Sequence, residues 1–129
     1  MATLYQYGQA LDHGHRDQFI NCFTPDAEYV VKARVDTKVG FTFVGHEELR
    51  GYFDGHTHAP DAFHKHVTVN PLVEVGEDGA DVQSYFLRVD SPGVGPAIVL
   101  AAGRYIDRFE RSDDGGWRIR SRMCEVENL

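Results

Sequence analysis

The segment His64-Lys-His-Val-Thr-Val-Asn-Pro-Leu-Val-Glu-Val-Gly-Glu-Asp-Gly-Ala-Asp-Val-Gln-Ser-Tyr-Phe-Leu-Arg-Val-Asp90 decides the fold. On either side of Gly76-Glu-Asp-Gly79, β-branched and aromatic residues alternate with polar ones over ten or more positions, a period of two that suits a half-buried strand. The Gly-Glu-Asp-Gly linker is turn chemistry, so the two halves form an antiparallel hairpin. Downstream, Ser91-Pro-Gly93 and Ser112-Asp-Asp-Gly-Gly116 separate two further alternating segments, Pro96 to Arg111 and Gly116 to about Val126. The second half therefore reads as a meander of four long strands.

Upstream the period changes. Leu4, Tyr7 and Leu11 recur at helical spacing up to about Gly14, and Asp17 to Phe23 suggests a short second helix stopped by a turn at Thr24-Pro25-Asp26. Glu28 to Val35 and Gly40 to Val44 read as strands. Gly45 to Phe53, with Glu47 and Glu48 in its first turn and Leu49, Tyr52 and Phe53 at spacings of three and four, reads as a third helix ending at Gly55. The expected architecture is α+β, three helices on one face of a curved, mostly antiparallel sheet.

At 129 residues the chain is long enough for one hydrophobic core and too short for two, so a single domain over 1–129 is expected. Apolar residues at 42% and charged ones at 26% are the balance of a globular protein, not of a disordered one. A net charge of −7 argues against coating nucleic acid or an anionic membrane. No apolar run is long enough to span a bilayer and no secretory leader is evident, which makes a cytoplasmic protein the expectation. The two cysteines, Cys22 and Cys124, are far apart and read as packed thiols. Three short helices leave one sheet face needing polar residues or a partner chain, and Val67, Val69 and Leu72 on one segment with Val99, Ala101, Tyr105 and Phe109 on another add more apolar positions than one helical layer can bury, which predicts a homodimer or homotrimer through the sheet.

Four of the seven histidines, His56, His58, His64 and His66, fall within eleven positions. Two His-x-His pairs have the spacing of metal ligands, but two of the four sit in a loop and no cysteine accompanies them, so no metal site is assigned. His64, His66, Thr68 and Asn70 share one strand face, which either meets water or lines a polar pocket. Asp12, near the end of the first helix, could support a histidine base by fixing its tautomer and stabilising its imidazolium form. No Gly-x-Ser-x-Gly elbow and no phosphate-binding glycine loop is present. Tyr7, Phe19, Phe23, Tyr29, Tyr52, Phe53, Phe86 and Trp117 are expected mostly in the core, some of them on a cavity.

Several stretches together, Tyr7-Gly-Gln-Ala-Leu-Asp12, Cys22-Phe-Thr-Pro-Asp-Ala-Glu-Tyr29, Phe43-Val-Gly-His-Glu-Glu-Leu49, His66-Val-Thr-Val-Asn-Pro71, Gly103-Arg-Tyr-Ile-Asp-Arg-Phe-Glu-Arg111 and Gly116-Trp-Arg-Ile-Arg-Ser-Arg122, resemble the SnoaL-like branch of the nuclear-transport-factor-2-like superfamily. The resemblance implies a cone-shaped α+β barrel with helices on its concave side around a deep apolar pocket. It also implies chemistry without metal or organic cofactor, in the manner of scytalone dehydratase, bile-acid dehydratase, hexachlorocyclohexane dehydrochlorinase and some polyketide cyclases. By position, Asp12 and His66 would be the catalytic pair. Tyr7 and Tyr29 would bind substrate oxygen, with Asn70 and Arg104 as further substrate-binding candidates. Tyr7 stands where the dehydrochlorinase carries a lysine, and Arg104 where scytalone dehydratase presents a second histidine. Arg122 matches a pocket arginine of the dehydrochlorinase, yet simple alternation puts it on the face opposite Trp117 unless a bulge intervenes. The expected activity is that of a lyase, dehydratase or cyclase-like, on a small apolar cyclic or polyketide-like molecule. The alternative is a non-catalytic ligand-binding or assembly subunit of the same fold.

Overall fold

The computed structural model describes residues 2–33 and 39–128. Three helices, α1 (Ala2–His13), α2 (Arg16–Ile20) and α3 (Gly45–Asp54), accompany six strands: β1 (Phe23–Ala33), β2 (Val39–Val44), β3 (Phe63–Val75), β4 (Ala80–Ser91), β5 (Ile98–Arg111) and β6 (Trp117–Val126). The strands form one curved, open sheet in the order β2-β1-β6-β5-β4-β3, antiparallel throughout except for the parallel β1–β6 pair.

Turn chemistry fixed the meander within a residue or two, and the differences lie at the start of β1. Phe23 opens that strand instead of ending α2, and Thr24-Pro25-Asp26 lies within it. Pairing with β6 is irregular between Phe23 and Glu28, which lets a proline, lacking an N–H for the ladder, sit in a strand. Val35, the expected end of that strand, lies outside the described residues.

Strand alternation sorts the two sheet faces. Ala80, Val82, Ser84 and Phe86 of β4, and Tyr105, Asp107 and Phe109 of β5, are buried on the concave face beneath the helices. Leu4, Tyr7, Leu11, Phe19, Phe53 and Ile119 are among the residues that pack against them in the core. Tyr85, on the opposite face, is 56% exposed.

Two local features set the site's geometry. Gly8 lets α1 lie directly on β3, because a Cβ there would stand 2.8 Å from the His66 carbonyl oxygen. Asp12 is one helical turn further on, on the same side of α1, and so faces the start of β3. The other feature is in β6: its pairing with β5 slips between Arg108 and Phe109, opposite Ile119 to Ser121. This bulge returns Arg122 to the concave face that Ile119 occupies, so Trp117 and Arg122 need not lie on opposite sides.

Candidate active site

Asp12 is almost fully buried and is met by three N–H donors. The Nδ1–H of His66 donates to its Oδ1 at 2.6 Å, and the backbone N–H of His66 donates to its Oδ2 at 2.9 Å. His64 Nδ1 lies 3.0 Å from the same Oδ1. Burial by itself would raise the Asp12 pKa, but the hydrogen bonds from His66 and His64 outweigh it and hold the carboxyl below its usual range. These donors also offset the unfavourable placement of a carboxylate at a helix C-terminus. The loop after α3 is tied to the same corner: the Ala59 N–H donates to the Asp12 carbonyl (3.0 Å), and the His58 ring lies between the carbonyls of Leu11 and Phe53.

His66 forms part of the wall of a cavity of about 680 Å³, a size suited to a small organic ligand. With Nδ1 engaged by Asp12, Nε2 is the ring nitrogen left for a ligand. Tyr7, Tyr29, Tyr52, Phe43, Phe86 and Tyr105 supply aromatic walls, while His56 and Arg88 add polar groups near His66. The hydroxyls of Tyr7 and Tyr29 are hydrogen-bonded to each other at 2.7 Å, so one of the two protons is committed to the pair, and Tyr52 and Cys124 stand beside it. Burial pushes both phenols well above their ordinary pKa, which keeps them neutral donors.

Behind these tyrosines lies Arg122, fully buried, its guanidinium 4.4 Å from the centre of the Tyr7 ring and 3.8 Å from that of Tyr105. Asp107 holds it through two bonds of 2.8 Å. Arg122 thus supports the cavity floor from beneath, and its positive charge strengthens the phenol it stacks on as a donor.

Two expected binding residues are placed elsewhere. Asn70 is exposed, with a positive φ of 53° at the point where β3 slips register against β4, and the slip takes it out of the polar stripe. Arg104 alternates with the inward-facing Tyr105, and it pairs with Glu125 at 3.2 Å on the outer face. Neither lines the cavity. His56, Arg88 and Tyr105 do line it and were missed as site residues. The inward alternation of β4 and β5 marks the last two; nothing in the loop spacing marks His56. Cys22 and Cys124 are packed thiols whose burial pushes both up to about 12.

His56 is half-buried, its Nε2 is enclosed without a hydrogen-bond partner, and burial followed by repulsion from His66 and Arg88 lowers its pKa to about 4. The unfolded chain therefore binds a proton at His56 between about pH 6.5 and 4 that the folded protein refuses, and stability from this group is lost as pH falls through that window. A series of melting temperatures from pH 7 to 4 should fall less steeply in His56→Gln than in the wild type. Parallel curves would show that His56 takes up its proton without resistance from the fold.

A family model described as a SnoaL-like domain matches residues 1–123. No functionally curated protein matches the chain. Among solved structures, a single-residue variant of a Mycobacterium tuberculosis protein of unknown function is 27% identical, with a TM-score of 0.83 over 99% of this chain and 69% of that one. The β subunit of a provisionally described aromatic-ring-hydroxylating dioxygenase from Novosphingobium aromaticivorans is 23% identical, with a TM-score of 0.82 over 99% of this chain and 86% of that one. A provisionally described scytalone dehydratase from the same organism is 22% identical, with a TM-score of 0.71 over 97% and 78% of the two chains. Two further neighbours are described as having a cystatin-like fold, one of them as an NTF2-like protein. Among the described residues no helix is long and apolar enough to cross a membrane.

Proposed function

The chain belongs to the SnoaL-like domain family, and on that premise we propose that it is a cofactor-independent lyase, a dehydratase or cyclase-like enzyme acting on a small apolar ring-containing substrate. The observation that carries this reading is the 2.6 Å bond between Asp12 and His66 at the wall of an aromatic cavity. His66 Nε2 takes a proton from a carbon next to a substrate carbonyl. Asp12 keeps Nδ1 protonated and stabilises the imidazolium that results. As negative charge develops on the carbonyl oxygen, that oxygen accepts a hydrogen bond from the Tyr7–Tyr29 pair, whose phenols stay neutral. Loss of a β-hydroxyl then completes a dehydration, with the proton on His66 returned to the departing oxygen so that water leaves. In a cyclase the same carbanion would attack a second carbonyl, and the alkoxide formed as that C=O π bond opens would take the proton back from His66.

The reading predicts turnover in a screen of small cyclic hydroxyketones, seen as growth of the absorbance of a conjugated enone. Binding of such molecules without turnover would move the cavity's function to ligand carriage. A homodimer or homotrimer through the outer sheet face belongs to the same proposal. It is supported by the exposed Tyr85 and by the half-buried Val67, Val69 and Leu87 on that face. Light scattering should give two or three times 14.5 kDa, and a monomer mass at micromolar concentration counts against it.

A further inference from the structure

The concave stripe of β4 runs through Ala80, Val82, Ser84 and Phe86 and then reaches Arg88, so a face built of small and apolar side chains passes into a guanidinium. Arg88 stands opposite His66 on β3 and Ala101 on β5. The register of β4 against β5 slips just after it, and the consecutive residues Leu100 and Ala101 both line the cavity. Among the described residues of the cavity wall, Arg88 is the one with a permanent charge, and none is an aspartate or glutamate. A chain of net charge −7 thus presents a single cation to its cavity. Asp90, further along β4, accepts from Arg88 Nε at 2.9 Å and from Nη2 at 3.4 Å, and it does not line the cavity. These two donors form one edge of the planar guanidinium. The next edge, Nη1–H beside the second Nη2–H, bonds to no described residue and has the spacing of the two oxygens of a carboxylate. Other polar groups of the wall are engaged elsewhere: the Asn128 amide binds the Leu100 carbonyl at 2.8 Å and the Ala102 N–H at 3.2 Å, and the Tyr7 and Tyr29 hydroxyls bind each other.

We propose that the ligand of this cavity is a ring-containing carboxylic acid bound as its anion, with Arg88 as the residue that anchors the carboxylate and selects acids over their neutral analogues. The Arg88 side chain is 24% exposed, deep enough for a charge contact to escape full screening by salt and open enough to be reached. Leu100, in the same part of the wall, is 46% exposed, so the anchor lies where the cavity meets solvent. The acid therefore keeps its charged end at the rim while its ring goes inward against Phe86 and Tyr105, themselves stacked with ring centres 4.8 Å apart. Asp90 holds the guanidinium plane before any ligand arrives, which reduces the side-chain freedom lost on binding. A phosphate monoester, with nearly two charges, would meet the same single cation, and the open edge offers it no further donor. Because Arg88 faces His66 across the β3–β4 pair, an acid held there presents its ring to the His66 side of the cavity. The anchor orients; it neither gives nor takes a proton. That the acid is turned over rests on the lyase reading, whereas its capture by Arg88 rests on the cavity alone.

Calorimetric titration near neutral pH with 2-naphthoate, 2-naphthamide and 2-naphthyl phosphate, one ring with three head groups, tests the proposal. Naphthoate should bind the wild type about ten-fold or more tighter than the amide, the range of a charge-assisted hydrogen bond. Arg88→Met should bring naphthoate down to the affinity of the amide and leave the amide unchanged, while Arg88→Lys, which keeps the charge without the fork, retains part of the preference. Equal affinity of acid and amide in the wild type overturns the proposal, as does a preference that survives in folded Arg88→Met. Tighter binding of the phosphate than of naphthoate overturns the choice of a carboxylate. If Arg88→Met does not fold, the nitrogen-15 signal of Arg88 Nε in the wild type decides, and a signal unmoved at saturating naphthoate counts against the anchor. Failure of all three probes to bind at millimolar concentration overturns it as well. The lyase reading fails separately: acid binding through Arg88 without turnover of any hydroxyketone leaves the anchor standing, and turnover of neutral hydroxyketones as fast as of their carboxylated analogues removes the anchor and leaves the lyase.

Discussion

Asp12→Asn lowers turnover by about two to four orders of magnitude and leaves the chain folded, the loss expected when a histidine base loses the charge that stabilises its protonated form. The geometry explains why an isosteric change is so costly. Asp12 receives three N–H donors on two oxygens, and an asparagine has one oxygen. Whichever way its amide is turned, an NH₂ group faces either the His66 backbone N–H or the ring N–H groups, so His66 loses its tautomer or its position. The substitution keeps the volume and packing of the side chain, so the melting temperature moves far less than the rate. His66→Ala costs at least as much, and the double variant is little worse than His66→Ala alone, because residues acting as one unit are not additive. Steady-state rates on a cyclic hydroxyketone, with melting curves beside them, check this. Wild-type turnover in both single variants would remove the pair from the chemistry.

The largest effect on stability is expected from Asp107→Asn. The Arg122–Asp107 pair has both side chains fully buried, and the substitution keeps volume while leaving a guanidinium with no counter-charge under Tyr7 and Tyr105. Breaking such a pair from one side costs about 3–5 kcal/mol, which is a large share of the roughly 5–15 kcal/mol that holds a domain together. Replacing both partners, as Asp107→Leu with Arg122→Met, should recover most of the loss, since two well-packed apolar side chains carry no desolvation penalty. Urea midpoints for the three proteins measure it. A loss under about 1 kcal/mol in Asp107→Asn would mean that water reaches the pair.

How far these residues were legible depends on the physics that places each one. Strand limits in β3 to β6 were readable because glycine, proline and aspartate clusters act locally, through φ and turn geometry. Tyr105 and Asp107 were readable as inward-facing by alternation along β5, and the same alternation excludes Arg104. Where register slips, alternation fails: Asn70 leaves the polar stripe at one slip, and Arg122 joins the concave face at another. No pattern of period two marks a bulge in advance. The Asp12–His66 contact spans 54 positions and depends on how closely a helix approaches a strand, which Gly8 permits and no local rule displays. The resemblance brought that pair to view. His64 was the hardest to place, because a histidine two residues before another on a strand looks the same whether it meets water or a carboxylate.

The parallel pairing of β1 with β6 has a consequence for how the molecule is made. Within this domain the neighbour of the first strand made is the last, so β1 waits, half-paired with β2 alone, until β6 has emerged. Loop-closure entropy over that separation places the step late and makes it slow compared with closing the β3 to β6 hairpins. Until then Tyr29 has no cavity to face and the β1 edge is open to other chains, which makes the interval before β6 arrives the period in which this protein is most exposed to misassembly.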